Sequence, residues 1–186
     1  DGSDQTLRTS INQISNALFY LDKELKDNEI GAQTGIFEDS CLQESCPCAV
    51  EHPYALNSLA SVEANVKGFK RIFTGDVPGN TTADDPNASL GFDDYLIDQG
   101  YSDLADQMSS AIDNILTNIA ASNGQTLFDL VSASTRADCA ISDSANRVSE
   151  ACALHADIKQ LGDLLKGEMI SSLGLEAPQR AGGDND

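Results

Sequence analysis

The sequence contains no tryptophan and only two histidines among its 186 residues, and it is poor in basic side chains. Eleven Lys and Arg stand against 30 Asp and Glu, which gives a formal net charge of -19 at pH 7. Nucleic acids and anionic membranes are bound through clustered cations, so this balance argues against both as partners. A negative surface remains compatible with binding a cation or a basic peptide, or with simple solubility.

Long apolar runs are also missing. No stretch approaches the roughly 20 apolar residues that cross a bilayer, so we predict no membrane span. The segment that starts at Asp1 lacks the parts of a signal peptide, and we expect a mature or trimmed product. Because two domains would each be close to the lower size limit, we predict one domain over residues 1–176 and a mobile polar tail over residues 177–186.

Common catalytic motifs are absent as well. The sequence has no Gly-x-Ser-x-Gly turn for a serine nucleophile and no glycine-rich phosphate-binding loop. His52 and His155 are not in a metal-ligand spacing with each other, and we expect His155 at the edge of a helical bundle. Residues alone therefore favour a non-catalytic role.

Cysteine usage favours an oxidising compartment. Three of the five cysteines crowd into one irregular stretch and two lie far downstream; they are Cys41, Cys46, Cys48, Cys139 and Cys152. This is not the pattern of a zinc finger, which pairs ligands two to four residues apart in both halves. Disulfides, each contributing about 2–4 kcal/mol, fit better. The odd count leaves one thiol that is free or bonded to a part of the protein outside this chain.

The spacing of apolar residues indicates the fold. From Thr6 to about Asp27 they recur at alternating spacings of four and three, which places them on one stripe of a helix; they are Leu7, Ile11, Ile14, Leu18, Leu21 and Leu25. A bundle helix is favoured over a two-stranded coiled coil because regular flanking charge pairs are missing. Phe19 lies off the stripe and is expected to be partly exposed or to meet a second packing surface.

Three further long helices are predicted from apolar stripes, caps and terminating glycines. Their bounds are Asn57 or Ser58 to Gly75, Ser102 to Asn123-Gly124, and about Ser144 to Leu173 before Gly174. A short helical turn is expected from Phe92 to Ile97. The predicted fold class is all-α, an up-and-down helical bundle of about four long helices with a long disulfide-stapled loop from Asn28 to Leu56.

The end of the stapled loop contains the most reactive group of side chains. In Glu51-His52-Pro53-Tyr54 a carboxylate, an imidazole and a phenol are held close together by a rigid proline. Imidazole and carboxylate are both metal ligands, and a structural or solvated role for His52 is the alternative.

Several short motifs follow one another in a characteristic order. They are Glu24-Leu25, Glu29-Ile30-Gly31-Ala32, Glu51-His52-Pro53-Tyr54, Asn57-Ser58-Leu59, Asn65, Gly68, Phe73-Thr74-Gly75, Gly91-Phe92-Asp93-Asp94-Tyr95-Leu96 and Leu127-Phe128-Asp129. In this order they resemble the second, C-terminal half of imelysin-like proteins. The resemblance implies an all-helical bacterial cell-envelope protein, often a lipoprotein, linked to iron acquisition and historically classed with peptidases. The family's Gly-x-His-x-x-Glu signature, which belongs to its first half, does not occur in this sequence.

The motif order, the charge and the cysteines together favour a non-catalytic binding component in the uptake of iron or another divalent cation. We expect it in the bacterial periplasm or at the outer-membrane surface. The candidate ligand-binding residues are Glu51, His52, Tyr54, Ser58 and Asn65, with Glu51 and His52 as candidate metal ligands.

Two alternatives are kept open. The first is a metal-dependent peptidase of the imelysin type, whose site would need the missing first half. The second is a helical interaction module, in which Phe19 and the face around Ile112 and Leu116 dock on a partner half or subunit.

Overall fold

A computed structural model describes residues 2–37, 43–76 and 90–178 of the chain. Most of these residues are helical, and no strand occurs among them, which confirms the all-α prediction. The elements are α1 Gly2–Leu18, π1 Leu21–Gly31, α2 Ala32–Thr34, a 3-10 turn Pro47–Ala49, α3 Ser58–Thr74, α4 Phe92–Asp98, α5 Ser102–Ala120, α6 Leu127–Ser132, α7 Arg136–Cys139, α8 Glu150–Asp163, π2 Leu164–Met169 and α9 Ile170–Leu173.

Four long helical segments form the bundle. They are α1 with π1 and α2, then α3, then α5, and finally α8 with π2 and α9. The contacts close these segments into a ring, because π1 packs on α3 and on α8, and α5 packs on α3 and on α8. Their apolar stripes meet in one core, whose members with no exposed surface include Leu25, Val66, Phe73, Ile112, Ile158 and Leu161.

The first stripe is confirmed only in its second half. Leu18 is 1% exposed, whereas Leu7 is 62% and Ile14 is 49% exposed. Phe19, off the predicted stripe, is buried. Leu21 and Leu25 of π1 are buried as well, so the stripe continues into π1, and only its start on α1 is left uncovered by the described residues.

The stapled loop starts later than predicted, because the helix continues through Asn28 to Thr34 and ends at Gly35, with φ 75°. Gly31, which falls within the predicted loop, lies inside the helix for a packing reason. A Cβ atom at Gly31 would lie 2.8 Å from Cε2 of Phe37 and 3.1 Å from Nε2 of His155. His155 is accordingly buried against π1 instead of at the bundle edge.

The predicted bounds of α3 and α4 are confirmed to within a residue or two. Their meeting point requires two glycines: a Cβ atom on Gly75 would lie 2.4 Å from the carbonyl carbon of Leu90, and one on Gly91 would lie 2.1 Å from the carbonyl oxygen of Phe73. This close backbone approach seats the start of α4 against the end of α3.

The last long helix begins at Glu150 instead of about Ser144. Ser149 caps it by accepting a 3.5 Å hydrogen bond from the Cys152 amide. The preceding residues are held as a loop by the Cys139–Cys152 disulfide, whose Cα atoms are 4.8 Å apart, and by a hydrogen bond from Ser144 to Asp157. These tertiary links prevent the helix from extending towards its N-terminus.

The disulfide prediction is confirmed for the described cysteines. Besides the Cys139–Cys152 bond, Cys46 is disulfide-bonded, and Cys48 is an exposed free thiol. Cys41 lies outside the described residues, as do residues 179–186 of the predicted tail.

The predicted docking face is wrong. Phe19 is 7% and Ile112 is 0% exposed, and Leu116 is half-buried against the same core, so these side chains hold the bundle together and present no face to a partner. Across the described ranges, no helix combines the length and apolar character needed to cross a membrane.

Candidate functional site

The candidate site lies where π1 faces the loop that leads into α3. His52 donates its backbone N–H to the Ser58 hydroxyl oxygen at 3.0 Å, and Ser58 is buried at the first position of α3. The His52 Nε2 atom lies 3.5 Å from Glu51 Oε2 on the surface. The structure therefore brings together three of the predicted site residues, Glu51, His52 and Ser58. Ser58 holds the loop through its hydrogen bond with the His52 amide.

Residues of π1 and the turn before it complete this group. The Tyr20 hydroxyl donates to Glu29 Oε1 at 3.1 Å, and Asn28 Nδ2 donates to Glu24 Oε2 at 2.7 Å. The negative charge of Glu51 acts on both Glu29 and Tyr20. The region thus combines three carboxylates, a phenol and an imidazole.

The charges of the loop residues Glu51 and His52 change the pKa of Glu29 on π1. Burial raises the pKa of Glu29, and the negative charges of Glu51 and Glu24 raise it further, against the opposing effects of the Tyr20 hydrogen bond and of His52. The pKa of Tyr20 is also raised, by burial first and then by Glu29. Negative charge is therefore crowded here, and ionising Glu29 is disfavoured.

The π-helix explains why the sequence did not predict this pairing. Tyr20 and Glu29 are nine residues apart, which is two and a half turns of an α-helix with 3.6 residues per turn, so they would point to opposite sides. The wider turn of a π-helix places them on the same side, within hydrogen-bond distance. π-helices are rare and occur frequently at functional sites.

The two remaining candidates lie apart from the Glu51–His52 pair. Tyr54 is 98% exposed and points into solvent. Asn65, half-buried on α3, lines a small cleft of about 190 Å³ together with Tyr20. The lining of this cleft includes Tyr20 but not Glu29, Glu51 or His52, so the structure does not place Asn65 beside the proposed ligands.

A network of hydrogen bonds fixes the loop to the end of the first helical segment. The Gln33 amide donates from Nε2 to the carbonyl oxygens of Asn28 at 2.7 Å and Ala49 at 3.1 Å, and the Cys46 N–H donates to the Gln33 carbonyl at 2.7 Å. Arg136 donates from Nε to the Gly35 carbonyl at 2.7 Å. The elements that carry the cysteines thus hold the segment that positions Glu29.

The present side-chain arrangement is not a closed coordination shell. In the part of the chain that the structure describes, no three His, Cys, Asp or Glu side chains stand close enough together to hold a metal ion. Glu51 and His52 supply one carboxylate and one imidazole, the donor types that suit first-row transition ions, and both interact electrostatically with the Glu29 carboxylate.

A second charged group, not expected from the sequence, lies on the buried side of π1. Lys26 is 0% exposed, and its Nζ atom lies 3.4 Å from Asp22 Oδ1 and 3.3 Å from Asp27 Oδ1. Lys166 of π2 approaches Asp22 Oδ1 at 3.1 Å. Lys26 follows Leu25 in the chain, and both are fully buried in π1.

The comparisons with known proteins give one match. Residues 2–161 match the family model described as imelysin, and this range includes every candidate ligand-binding residue. No curated protein and no solved structure matches the chain.

Proposed function

The chain belongs to the imelysin family, and on that premise we propose that it is a cell-envelope binding protein that takes up ferrous iron or a similar divalent cation at the candidate site. It acts as a binding component and catalyses no reaction by itself. Glu29, Glu51 and His52 supply the ligands, and Tyr20 borders the position of the ion.

The observation that carries the proposal is the effect of Glu51 on Glu29. Burial and the negative charge of Glu51 raise the pKa of Glu29, and a cation that neutralises this charge favours ionised Glu29, so binding is coupled to loss of the Glu29 proton. The imidazole of His52 adds a nitrogen donor beside Glu51, which favours iron, zinc or a related ion over calcium. Side-chain rotation must close the ligand shell, since the described residues do not form one in advance.

The proposed location is the periplasm or the outer-membrane surface of a bacterium. The Cys139–Cys152 disulfide fits an extracytoplasmic, oxidising environment. The particular compartment comes from the family resemblance, and fractionation of cells that produce the complete protein tests it.

Titration calorimetry with ferrous, ferric and zinc ions tests the function. We expect a single binding event that releases protons, which is measured by repeating the titration in buffers of different ionisation enthalpy. The double variant Glu29→Gln/Glu51→Gln and the variant His52→Ala should each weaken binding at least about tenfold, or about 1.4 kcal/mol.

A charge-matched control separates a specific site from general attraction to an acidic protein. Asp103→Asn/Asp106→Asn removes two exposed carboxylates of α5 and should leave binding unchanged. Equal weakening by both double variants, or the absence of binding heat with all three ions, would contradict the proposal. Chelator-sensitive cleavage of peptides by the purified chain would contradict a role limited to binding.

A further inference from the structure

The first helix leaves most of its apolar stripe uncovered. Leu7 is 62% and Ile14 is 49% exposed on α1, and Ile11 between them is half-buried. In a finished bundle the apolar stripe of a helix faces the core, and a contiguous apolar surface left open marks a contact site. α1 therefore carries a surface that the described part of this chain does not cover.

The uncovered stripe forms one wall of a groove of about 710 Å³. The opposite wall comes from the end of α3 and the start of α4, and it is also apolar, with Ile72, Leu90 and Tyr95. An apolar groove of this kind binds the apolar face of an amphipathic helix. Arg71 and Asp76 add one positive and one negative charge to it.

The remaining segments of this chain lack the side chains to fill the groove. Residues 38–42, 77–89 and 179–186 are outside the described ranges, and their sequences contain Leu42 and Val77 as the only aliphatic side chains larger than alanine. A helix that fills an apolar groove needs several such side chains at spacings of three and four. None of these segments therefore supplies a helix of that kind.

Charge identifies the molecule that fits best. No Asp or Glu occurs between Asp4 and Asp22, although the chain has 30 acidic residues and a net charge of -19. Two copies repel each other over most of their surface, and this part of α1 adds no carboxylate to that repulsion. This stretch without carboxylates coincides with the exposed apolar stripe, as an interface between like-charged copies requires.

We propose that a second copy of this chain docks on this groove through α1. Since α1 provides both an apolar stripe and a wall of the groove, two copies related by a two-fold axis cover both surfaces at once. This inference does not depend on the proposed cation binding.

Light scattering coupled to size-exclusion chromatography, over a wide range of protein concentration, tests the proposal. All samples carry Cys48→Ser, so that an intermolecular disulfide cannot imitate a dimer. We expect a concentration-dependent dimer that added salt strengthens, because salt screens the repulsion between the acidic copies. Ile14→Asp should weaken the dimer at least about tenfold in its dissociation constant.

Ile141→Asp is the matched control. Ile141 has the same side chain as Ile14 and is 57% exposed, but it lies between Cys139 and Cys152, away from the groove. Leu7→Asp provides a second substitution in the stripe, and circular dichroism establishes that each variant is folded. A monomer at every concentration and salt level, or a dimer equally affected by Ile14→Asp and Ile141→Asp, would overturn the proposal.

Discussion

The Asp22 carboxylate lies 3.1 Å from Lys166 Nζ and 3.4 Å from Lys26 Nζ, so a single side chain ties π1 to π2. Lys26 is fully buried, and Asp27 Oδ1 lies 3.3 Å from it on the other side. Buried charges are tolerated only when they are paired, because leaving water costs each of them several kcal/mol. The two π-helical regions are therefore coupled by electrostatics as well as by packing.

Removing Asp22 should destabilise the chain strongly. We expect Asp22→Ala to lower the free energy of unfolding by about 3–5 kcal/mol, because it leaves the ammonium of Lys26 poorly compensated in the interior. Asp163→Ala is the control: Asp163 is exposed and 3.8 Å from Lys166, so its loss should cost within about 1 kcal/mol. Urea unfolding measures both, and equal losses would show that the buried pairing contributes little.

Asp157 should anchor the loop before α8 in the same way. This buried carboxylate accepts hydrogen bonds from Asn118 Nδ2 at 2.8 Å, from the Ser144 hydroxyl, and from Arg147 Nη1 at 3.0 Å. Although burial alone would lower the pKa of Arg147, its hydrogen bonds to Glu150 and Asp157 hold that pKa above its ordinary value.

We expect Asp157→Ala to cost about 3 kcal/mol or more and to speed amide hydrogen exchange in residues 142–149, because three donors lose their acceptor. Glu150→Ala removes only the exposed partner of Arg147 and should change stability by about 1 kcal/mol at most. Unchanged exchange in that loop after Asp157→Ala would show that the disulfide alone holds it.

The Cys139–Cys152 bond should contribute about 3 kcal/mol, the value expected for a loop with a sequence separation of 13. We predict that Cys139→Ser/Cys152→Ser lowers the midpoint of urea unfolding. Dithiothreitol should then lower the midpoint of this double variant less than it lowers that of the parent. Cys48→Ser, which removes the exposed free thiol, should leave both the midpoint and the dithiothreitol effect unchanged. A shift in the single variant as large as in the double variant would mean that Cys48 has a structural partner.

Glu29 should make stability fall as the pH rises. Burial and Glu51 raise the pKa of Glu29, so the folded chain retains the proton at a pH where the unfolded chain has lost it. The folded state binds more protons between the two pKa values, and its stability decreases as the pH rises through that window. Above the window the full destabilisation is present.

Glu29→Gln removes this effect and still accepts the Tyr20 hydrogen bond. We expect the variant to melt at a higher temperature than the parent at neutral pH, with the difference vanishing in acid, where Glu29 is protonated. Glu168→Gln, at an exposed carboxylate of π2, should show no such pH-dependent gain. If the difference in melting temperature between the parent and Glu29→Gln were the same at every pH, that result would contradict the raised pKa of Glu29.

The sequence by itself determined the helical class, the long segments and several of their ends. Local chemistry suffices for these features: apolar spacing marks a helix, and the terminating residues Gly75, Asn123 and Gly174 all adopt the positive φ angles that end helices. The crowded cysteines likewise predicted disulfides, with one thiol left over by the odd count, and the order of short motifs led to the family that the match over residues 2–161 establishes.

Only the tertiary structure decided which faces are covered and where the helical period changes. A stripe shows which residues share a side of a helix, but it does not show whether another segment reaches that side, and so Leu7 is exposed while Phe19 is buried. The π-helix has no local signature in composition; packing against α8 and the burial of Lys26 accompany it. The meeting of Tyr20 with Glu29 depends on that changed period, because side chains nine residues apart lie on opposite sides of an α-helix.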